Sequence, residues 1–267
     1  MWSLLATKRW LGYLALTVVF AIVASFFGLW QWDRRTQAVQ AIEVLERNWS
    51  SSPIPLSEWG GLGTSFPEVD EWRPVVTEGV YLAEDQVLAR TRPRSGQVGF
   101  EVLVPFETTD GTVVMVNRGW VPTGAAQDFP DVIPDAPSGL VTLAARVKPS
   151  EPMLPGRGAP EGQVPSIYLE GIAQGLEYPM VTEFYLLRAE ENPRPVSEPL
   201  AAVKPFLDEG PHLSYTLQWY VFGLLAFIAF FWLLRQENRV MKGITPPRKA
   251  GSTDAEEEDL LLESSRT

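Results

Sequence analysis

Hydrophobic positions in this chain gather into two unbroken runs, separated by a long stretch in which apolar and polar residues alternate. Residues 10–30 ("WLGYLALTVVFAIVASFFGLW") hold no charged side chain, and residues 212–234 hold none either when His212 is neutral. An α-helix rises about 1.5 Å per residue, so about 20 such residues cross a hydrocarbon core of roughly 30 Å, and both runs predict transmembrane helices. A cleaved signal peptide would have an apolar core of about 7–15 residues ending in small side chains. The first run is longer and leaves through the bulky "WQWDRR", which favours a retained anchor. Beyond it, Ala38, Val39, Ile42 and Leu45 in "QAVQAIEVLERN" keep a helical spacing that extends the anchor, until "SSPIPLSEW" ends it.

Between the two runs the period changes to two. The text "WRPVVTEGVYLAEDQVLAR" holds two short β-rich runs around a polar turn from Ala83 to Gln86. In "VGFEVLVPFETTDGTVVMVNRGWVP", Val98, Phe100, Val102, Val104 and Phe106 alternate with the intervening residues, which predicts a strand with one buried face. Asp110 and Gly111 then supply the positive φ angles of a tight turn, so the text predicts an antiparallel hairpin. Further on come a strand over residues 140–147, a short helix in "SIYLEGIAQGL" and a last strand in "EFYLLRAE". The four prolines of "PMLPGRGAPEGQVP" deny a ladder its donors and predict an exposed loop. Five or six strands with little helix predict a β-rich (α+β) domain, either a small antiparallel sheet or a partly closed barrel. The fold class is thus a membrane protein with two transmembrane α-helices flanking a β-rich extracytoplasmic domain.

Charge orients this arrangement. Lys8 and Arg9 precede the first helix, and Arg235, Arg239, Lys242, Arg248 and Lys249 follow the second. They outnumber the opposing Arg34 and Arg35, which places both termini in the cytoplasm of a multi-pass plasma-membrane protein. The implied order is a cytoplasmic N-terminus over residues 1–9, a first span over 10–32, the extracytoplasmic domain over 33–211, a second span over 212–234 and an acidic, disordered cytoplasmic tail over 235–267. A middle of about 180 residues is an ordinary size for one domain. The net charge of −11 disfavours nucleic-acid binding, which needs an excess of Lys and Arg. There is no cysteine, which removes disulfides, thiolate ligands and covalent haem attachment through Cys-x-x-Cys-His. The domain must therefore rely on its apolar core.

Enzyme motifs are scarce. The text has no phosphate-binding Gly-rich loop closing on Lys-Ser/Thr and no His-Glu-x-x-His, and a Ser-His-Asp triad would have to draw on His212, the only histidine. The expectation is therefore not an enzyme, with no catalytic residue assigned. The rival of that class is an enzyme acting on a lipid or envelope substrate through domain carboxylates.

Topology instead gathers one constellation. With both termini inside, the end of the first span ("FFGLWQWDRR") and the start of the second ("PHLSYTLQW") share one face of the bilayer. His212, Tyr215 and Trp219 fall at i, i+3 and i+7, with Gly223 continuing the stripe, while Gly28, Gln31, Trp32 and Arg35 lie at a similar depth. An imidazole to ligate iron, rings to pack on a macrocycle, and Arg34 or Arg35 to pair with propionates are the parts a tetrapyrrole site requires. The same residues have a plainer account. Trp30, Trp32, Tyr215, Trp219, Arg34 and Arg35 are of types enriched at membrane interfaces, and a histidine at a helix start is commonly an interfacial polar residue. Spacing leaves both accounts open. His212 protonation is open too, since the helix dipole favours the neutral ring and Asp208 and Glu209 the cation. Arg118 in "VNRGWVP" is read as structural rather than as a recognition residue. Arg90, Arg92 and Arg94 form a basic spot, read as a solvated turn rather than a dock for an acidic partner or lipid headgroup.

These pieces together resemble the surfeit locus protein one family, the membrane-anchored assembly factors of cytochrome c oxidase, in a bacterial form. The resemblance rests on "GLWQWDRR" closing the first helix, "RPV…GVY" opening the domain, "LAR…G…GFEVLVPF", "VMVNRGWVP", and "HLSYTLQW" opening the second helix. It spans nearly the whole chain except the tail and the Pro/Gly-rich middle. It implies assembly of the aa3-type oxidase, with haem a bound transiently and passed to the catalytic subunit. The implied partners are oxidase subunits and membrane lipids, with haem a synthase as a further candidate. The family's haem-linked histidine corresponds to His212 as the metal ligand, and its tryptophan-glutamine element to Trp30 and Gln31. Gly119 and Trp120 carry over as motif positions for folding or docking. The alternative is a non-haem scaffold that docks and stabilises nascent oxidase subunits.

Overall fold

The computed structural model describes residues 2–63 and 65–244. Arg248, Lys249 and the acidic stretch expected to be disordered lie outside them. In chain order the elements are α1 (Trp2–Leu5), α2 (Lys8–Trp49), β1 (Ile54–Pro55), β2 (Pro74–Tyr81), β3 (Val87–Ala89), β4 (Gly99–Thr108), β5 (Val113–Pro122), β6 (Val141–Pro149), β7 (Gln163–Val164), α3 (Leu169–Ala173), β8 (Phe184–Asn192) and α4 (His212–Met241). They form two compact units: residues up to Ala38 together with those from Glu209, and Val39–Asp208. The first long helix continues through Gln37 and Asn48 without a break, the extension its spacing predicts.

In the helical unit, α2 and α4 are long and apolar enough to cross a membrane, each holding an 18-residue stretch of mean hydropathy 2.2 or 2.0 respectively. Buried and half-buried positions on α2 recur every three or four residues through Trp10, Leu14, Thr17, Ala21, Ala24, Gly28, Gln31 and Arg35, while Thr216, Gly223 and Phe230 recur every seven on α4. This is the spacing that keeps one seam of a helix against a partner. Small residues let the backbones approach. A Cβ on Gly28 would meet the Tyr220 ring at 3.1 Å, and one on Gly223 would lie 3.9 Å from Ala21 and Ala24. Near the N-terminus of α2, Trp10 meets Phe230 edge-on at 5.6 Å and Arg9 pairs with Glu237. The outward positions, such as Leu16, Phe26, Leu224 and Trp232, are exposed and apolar, as a lipid-facing surface requires.

In the second unit, β2, β6, β8, β5 and β4 pair in that order and β4 pairs back to β2, closing a five-stranded barrel. The β4–β5 hairpin has its turn at Asp110 and Gly111, where Gly111 takes φ 83°, and sets Val104 opposite Val116. On β6, Val141, Leu143, Ala145 and Val147 are buried while their neighbours are partly exposed, and with Val75, Phe106, Val114, Val116, Phe184 and Leu186 they fill the interior. Trp59 packs edge-on against Phe184 at 4.7 Å and anchors its indole N–H on Asp70 at 3.0 Å.

The structure corrects three details. Strand β4 buries both faces: Phe100, Val102, Val104 and Phe106 point inward, while Leu103 packs outward against Ile167, Leu169 and Ile172 around α3. Alternation could not reveal this, because the outer cover comes from text more than 60 residues downstream. There are eight strands among the described residues, two of them only two residues long, one of these inside the expected loop. The sheet is also not purely antiparallel: β5–β8, β1–β2 and β3–β7 are parallel.

At the β5–β8 seam sits a charged cluster. A bulge sets Val102 opposite Gly119 and Leu103 opposite Asn117, so Arg118 is the extra residue. Its guanidinium is fully buried, donates to Glu191 at 3.0 and 3.2 Å, and gives a third hydrogen bond to the Pro134 carbonyl at 2.9 Å. Tyr81 donates its hydroxyl to Glu191 at 2.6 Å; burial, with the Glu191 charge, pushes that hydroxyl well above the usual tyrosine range. Arg188 reaches the Arg118 carbonyl, Glu198 and the Pro199 carbonyl. Replacing one member of a buried pair strands the other, at a cost of about 3–5 kcal/mol. Arg118→Leu should therefore lower the unfolding midpoint of the detergent-solubilised protein sharply; an unchanged midpoint would refute this role.

Candidate functional site

At the end of the helical unit where α4 begins, His212 Nδ1 lies 2.8 Å from Gln31 Oε1. Four residues before Gln31, Phe27 stacks on Trp219 with centroids 4.8 Å apart and planes 22° from parallel. Phe27, Trp30, Gln31 and Arg34 stand at i, i+3, i+4 and i+7 of α2, and His212, Tyr215 and Trp219 at i, i+3 and i+7 of α4, so each set is one stripe. The Gln31–His212 and Phe27–Trp219 contacts join the stripes into one flank. Two polar residues in a membrane seam each lose water, so each is stabilised by finding the other. Thr216 is buried in the seam and donates its hydroxyl to the His212 carbonyl at 2.9 Å.

The remaining residues singled out in the sequence divide by what they touch, and so by which groups stay free. Tyr215 and Trp30 are about half exposed on the same flank. Arg34 is exposed, lies 6.0 Å from the Trp30 ring and donates to the Gln37 amide oxygen at 3.1 Å. Arg35 is engaged: it pairs with Glu209 at 2.8 Å and lies 5.7 Å from the Trp32 ring. Phe27 and Tyr220 were not anticipated, and Glu209, expected only as a charge near His212, pairs with Arg35. Phe27 carried a usable signal, since it precedes Gln31 by one helical turn. Arg90, Arg92 and Arg94 are not a solvated turn. Arg90 pairs with Asp128 at 2.9 Å, Arg92 binds Glu151 through both terminal nitrogens at 2.9 and 2.6 Å, and Arg94 donates to the Leu200 and Ala201 carbonyls at 3.2 and 2.8 Å. All these partners are distant in sequence, so local composition could not show them.

A family model described as "SURF1 family" matches residues 18–224, which include both stripes and the "VNRGWVP" strand. The chain belongs to the SURF1 family. An uncharacterised SURF1-like protein of Mycobacterium tuberculosis is 31% identical over 262 residues, covering 92% of this chain and 93% of the relative. Surfeit locus protein 1 of Xenopus tropicalis is 27% identical over 246 residues, covering 84% and 74%. The Saccharomyces cerevisiae protein named Cytochrome oxidase assembly protein SHY1 is 28% identical over 109 residues, covering 40% of this chain and 28% of the relative.

In this SURF1 member the helix seam is directly testable, because no native cysteine interferes. A Cβ at Gly223 would lie 3.9 Å from the Ala21 Cβ, within the about 3.5–4.5 Å range that a disulfide bridges. Ala21→Cys with Gly223→Cys should form an intrachain disulfide on mild oxidation, read by mass spectrometry of the linked peptides. Ile22→Cys with Gly223→Cys, which moves one thiol out of the seam, should not.

Proposed function

We propose that this SURF1 member assists assembly of an aa3-type cytochrome c oxidase by holding haem a as cargo on the flank formed by His212, Gln31, Phe27 and Trp219. In this reading it sits in the plasma membrane with both termini cytoplasmic. The observation that carries the proposal is the contact between His212 Nδ1 and Gln31 Oε1. A carboxamide oxygen only accepts, so the ring proton sits on Nδ1 and, in the neutral ring, Nε2 keeps its lone pair. Metal-ligating histidines are oriented in this way by a partner on the other nitrogen.

The donor set fits a flat, apolar, dianionic cargo. His212 offers one nitrogen, the stacked Phe27 and Trp219 with Tyr215 and Trp30 offer aromatic surface, and exposed Arg34 is available for carboxylates. Arg35 is spent on Glu209 and serves instead to hold the start of α4. Haem a, when bound, supplies an iron centre and two propionates. What this chain's residues do is bind, orient and release it: one axial ligand and no covalent bond suit transfer. The yeast relative is named for cytochrome oxidase assembly, which supports oxidase subunits as partners. Haem a synthase and membrane lipids are further proposed partners.

A second reading, a scaffold that docks nascent oxidase subunits without haem, is favoured by the exposed Val196, Val203 and Phe206 in the segment before α4. Purifying the protein from cells that make haem a and recording the absorption spectrum separates the two. Haem bands in the wild type and their loss in His212→Ala are expected; equal loading of both would overturn the ligand assignment. A haem-free wild type whose co-purification with oxidase subunits survives His212→Ala would establish the scaffold. Loss of a partner that orients a metal-bound histidine typically costs about 10–100-fold in affinity, so Gln31→Ala should weaken haem retention by that factor in a titration.

A further inference from the structure

In the barrel unit of this acidic chain, Arg90, Arg92, Arg118 and Arg188 each hold a carboxylate. Arg146 on β6 holds none. Its guanidinium lies over the Trp49 ring where α2 ends, 3.9 Å from the centroid. Its Nε is buried and makes no hydrogen bond, and Nη2 reaches only the Trp49 carbonyl, at 3.4 Å. Nη1 is not buried and makes no hydrogen bond among the described residues. The negative end of a helix dipole favours a cation beside it, which accounts for that one long bond and leaves the other donors over. Burial lowers the Arg146 pKa, and no neighbouring charge acts against the shift. A half-buried guanidinium of this kind has donors in excess of acceptors and a charge without its counterpart.

The surroundings of Arg146 are the second observation. Trp49 meets Trp72 with centroids 5.7 Å apart, and the Trp72 ring carries the Lys148 ammonium 3.6 Å from its centroid, so two cations and two indoles form one surface. Arg146 and Lys148 stand at i and i+2 of one strand and share its face. Lys148 takes Glu71, while Asp70 is taken by Arg73 and the Trp59 indole N–H, so neither carboxylate is left for Arg146. Arg47, in the last turn of α2, also lacks a carboxylate and donates to the Val69 carbonyl at 3.0 Å. Asn48 holds the Val69 and Glu71 carbonyls at 2.8 Å each, which fastens exposed Val69 and the start of the Trp72 segment to the helix end. Trp72 takes φ 70°, a costly conformation for a tryptophan and one that concentrates at functional sites. Tryptophan and arginine are also the residue types that carry most binding energy at protein interfaces.

We infer that this end of α2 docks a protein partner through a carboxylate: Arg146, held on Trp49, receives the carboxylate on its free N–H groups, and Trp49, Trp72 and Val69 receive the apolar body around it. Charge complementarity decides the sign, since the cation left over is on this chain and the missing partner is an anion. A lipid phosphate has the same charge, but Trp49 stands about 17 residues beyond Trp32 on one unbroken helix. That is about 25 Å along the helix axis, whereas a headgroup layer is about 5–8 Å deep. The apolar margin is of no use to a free inorganic anion, which is why a protein is inferred. The inference does not depend on the haem reading.

The test uses the full chain in phosphatidylcholine nanodiscs and the capped peptide Ala-Leu-Glu-Leu-Ala, with glutamine in place of glutamate as the uncharged control. Saturation-transfer NMR should show the glutamate γ-methylene protons contacting the protein. A hydrogen bond between charged groups is worth about tenfold in affinity, so Arg146→Gln should weaken binding of the glutamate peptide about that much. Arg146→Lys keeps the charge and loses the planar fork, so its binding should fall between the two. Arg157→Gln, which removes an exposed charge in the proline-rich loop, should bind as the wild type does. Unfolding midpoints are recorded for each variant, and where Arg146→Gln lowers the midpoint, Arg146→Lys carries the comparison. The ratio between wild type and variant should be the same in phosphatidylglycerol nanodiscs; its collapse there would assign Arg146 to headgroups. That result, equal binding of the glutamine peptide, no transfer in the wild type, an equal loss in Arg157→Gln, or unchanged binding by the folded Arg146 variants would each overturn the inference.

Discussion

Glu191 lies inside the closed barrel with Arg118 at 3.0 Å and Arg188 at 3.7 Å, all of them almost wholly buried. A charge in such a place costs several kcal/mol unless it is matched, so these three side chains tolerate only a fold in which β5 and β8 meet in the observed register. That requirement explains an otherwise costly feature, the parallel β5–β8 pairing within the ring. It also reaches the segment leading to α4. Arg188 holds the Pro199 carbonyl at 2.7 Å, Trp120 and Leu200 exchange backbone hydrogen bonds at 2.9 and 2.8 Å, and a Cβ on Gly119 would come within 2.5 Å of the Leu200 oxygen. Arg, Gly and Trp in "VNRGWVP" thus do three different things at one seam: match a charge, leave room for a backbone, and pair with it.

The helical unit solves the same problem with far fewer polar groups. Ala24, Gly28 and Gly223 bring two helices together through small side chains, and the seam then meets Gln31 and His212 near the end where α4 begins. In a seam short of water each polar side chain is paired by the other, which gives the pair a definite depth and rotation. Arg35 with Glu209 repeats the device one turn further along α2.

Much of this was legible in the sequence where the cause is local. Uncharged runs gave both long helices, period two gave β4, and Asp110-Gly111 gave the hairpin, because chain geometry alone decides them. Barrel closure was legible only as an alternative, since it depends on β4 pairing back to β2 and on β5 meeting β8 about 70 residues later. The same limit hid the partners of Arg92 and Arg94, whose contacts Glu151 and Leu200 come from distant loops. At the helix pair, the stripe of His212, Tyr215 and Trp219 was readable from i, i+3, i+7 spacing. That Gln31 faces the imidazole while Arg35 faces Glu209 was not, because rotation of one helix against another is set by packing at Gly28 and Gly223.

Saturation of hydrogen-bonding capacity separates the structural polar clusters of this protein from the candidate functional ones. Arg118 has each end of its guanidinium matched by Glu191 or the Pro134 carbonyl, and Glu191 takes Arg118 and Tyr81 on its two oxygens. Such a cluster has nothing left to offer a ligand and acts by holding strands. His212 is different: one ring nitrogen contacts Gln31 and the other makes no hydrogen bond among the described residues. Folding tolerates an unmatched buried group only at some cost, and binding a complementary group is what recovers it. By that criterion the conspicuous arginine of the signature strand is scaffold, while the lone histidine is the candidate with a ring nitrogen to spare.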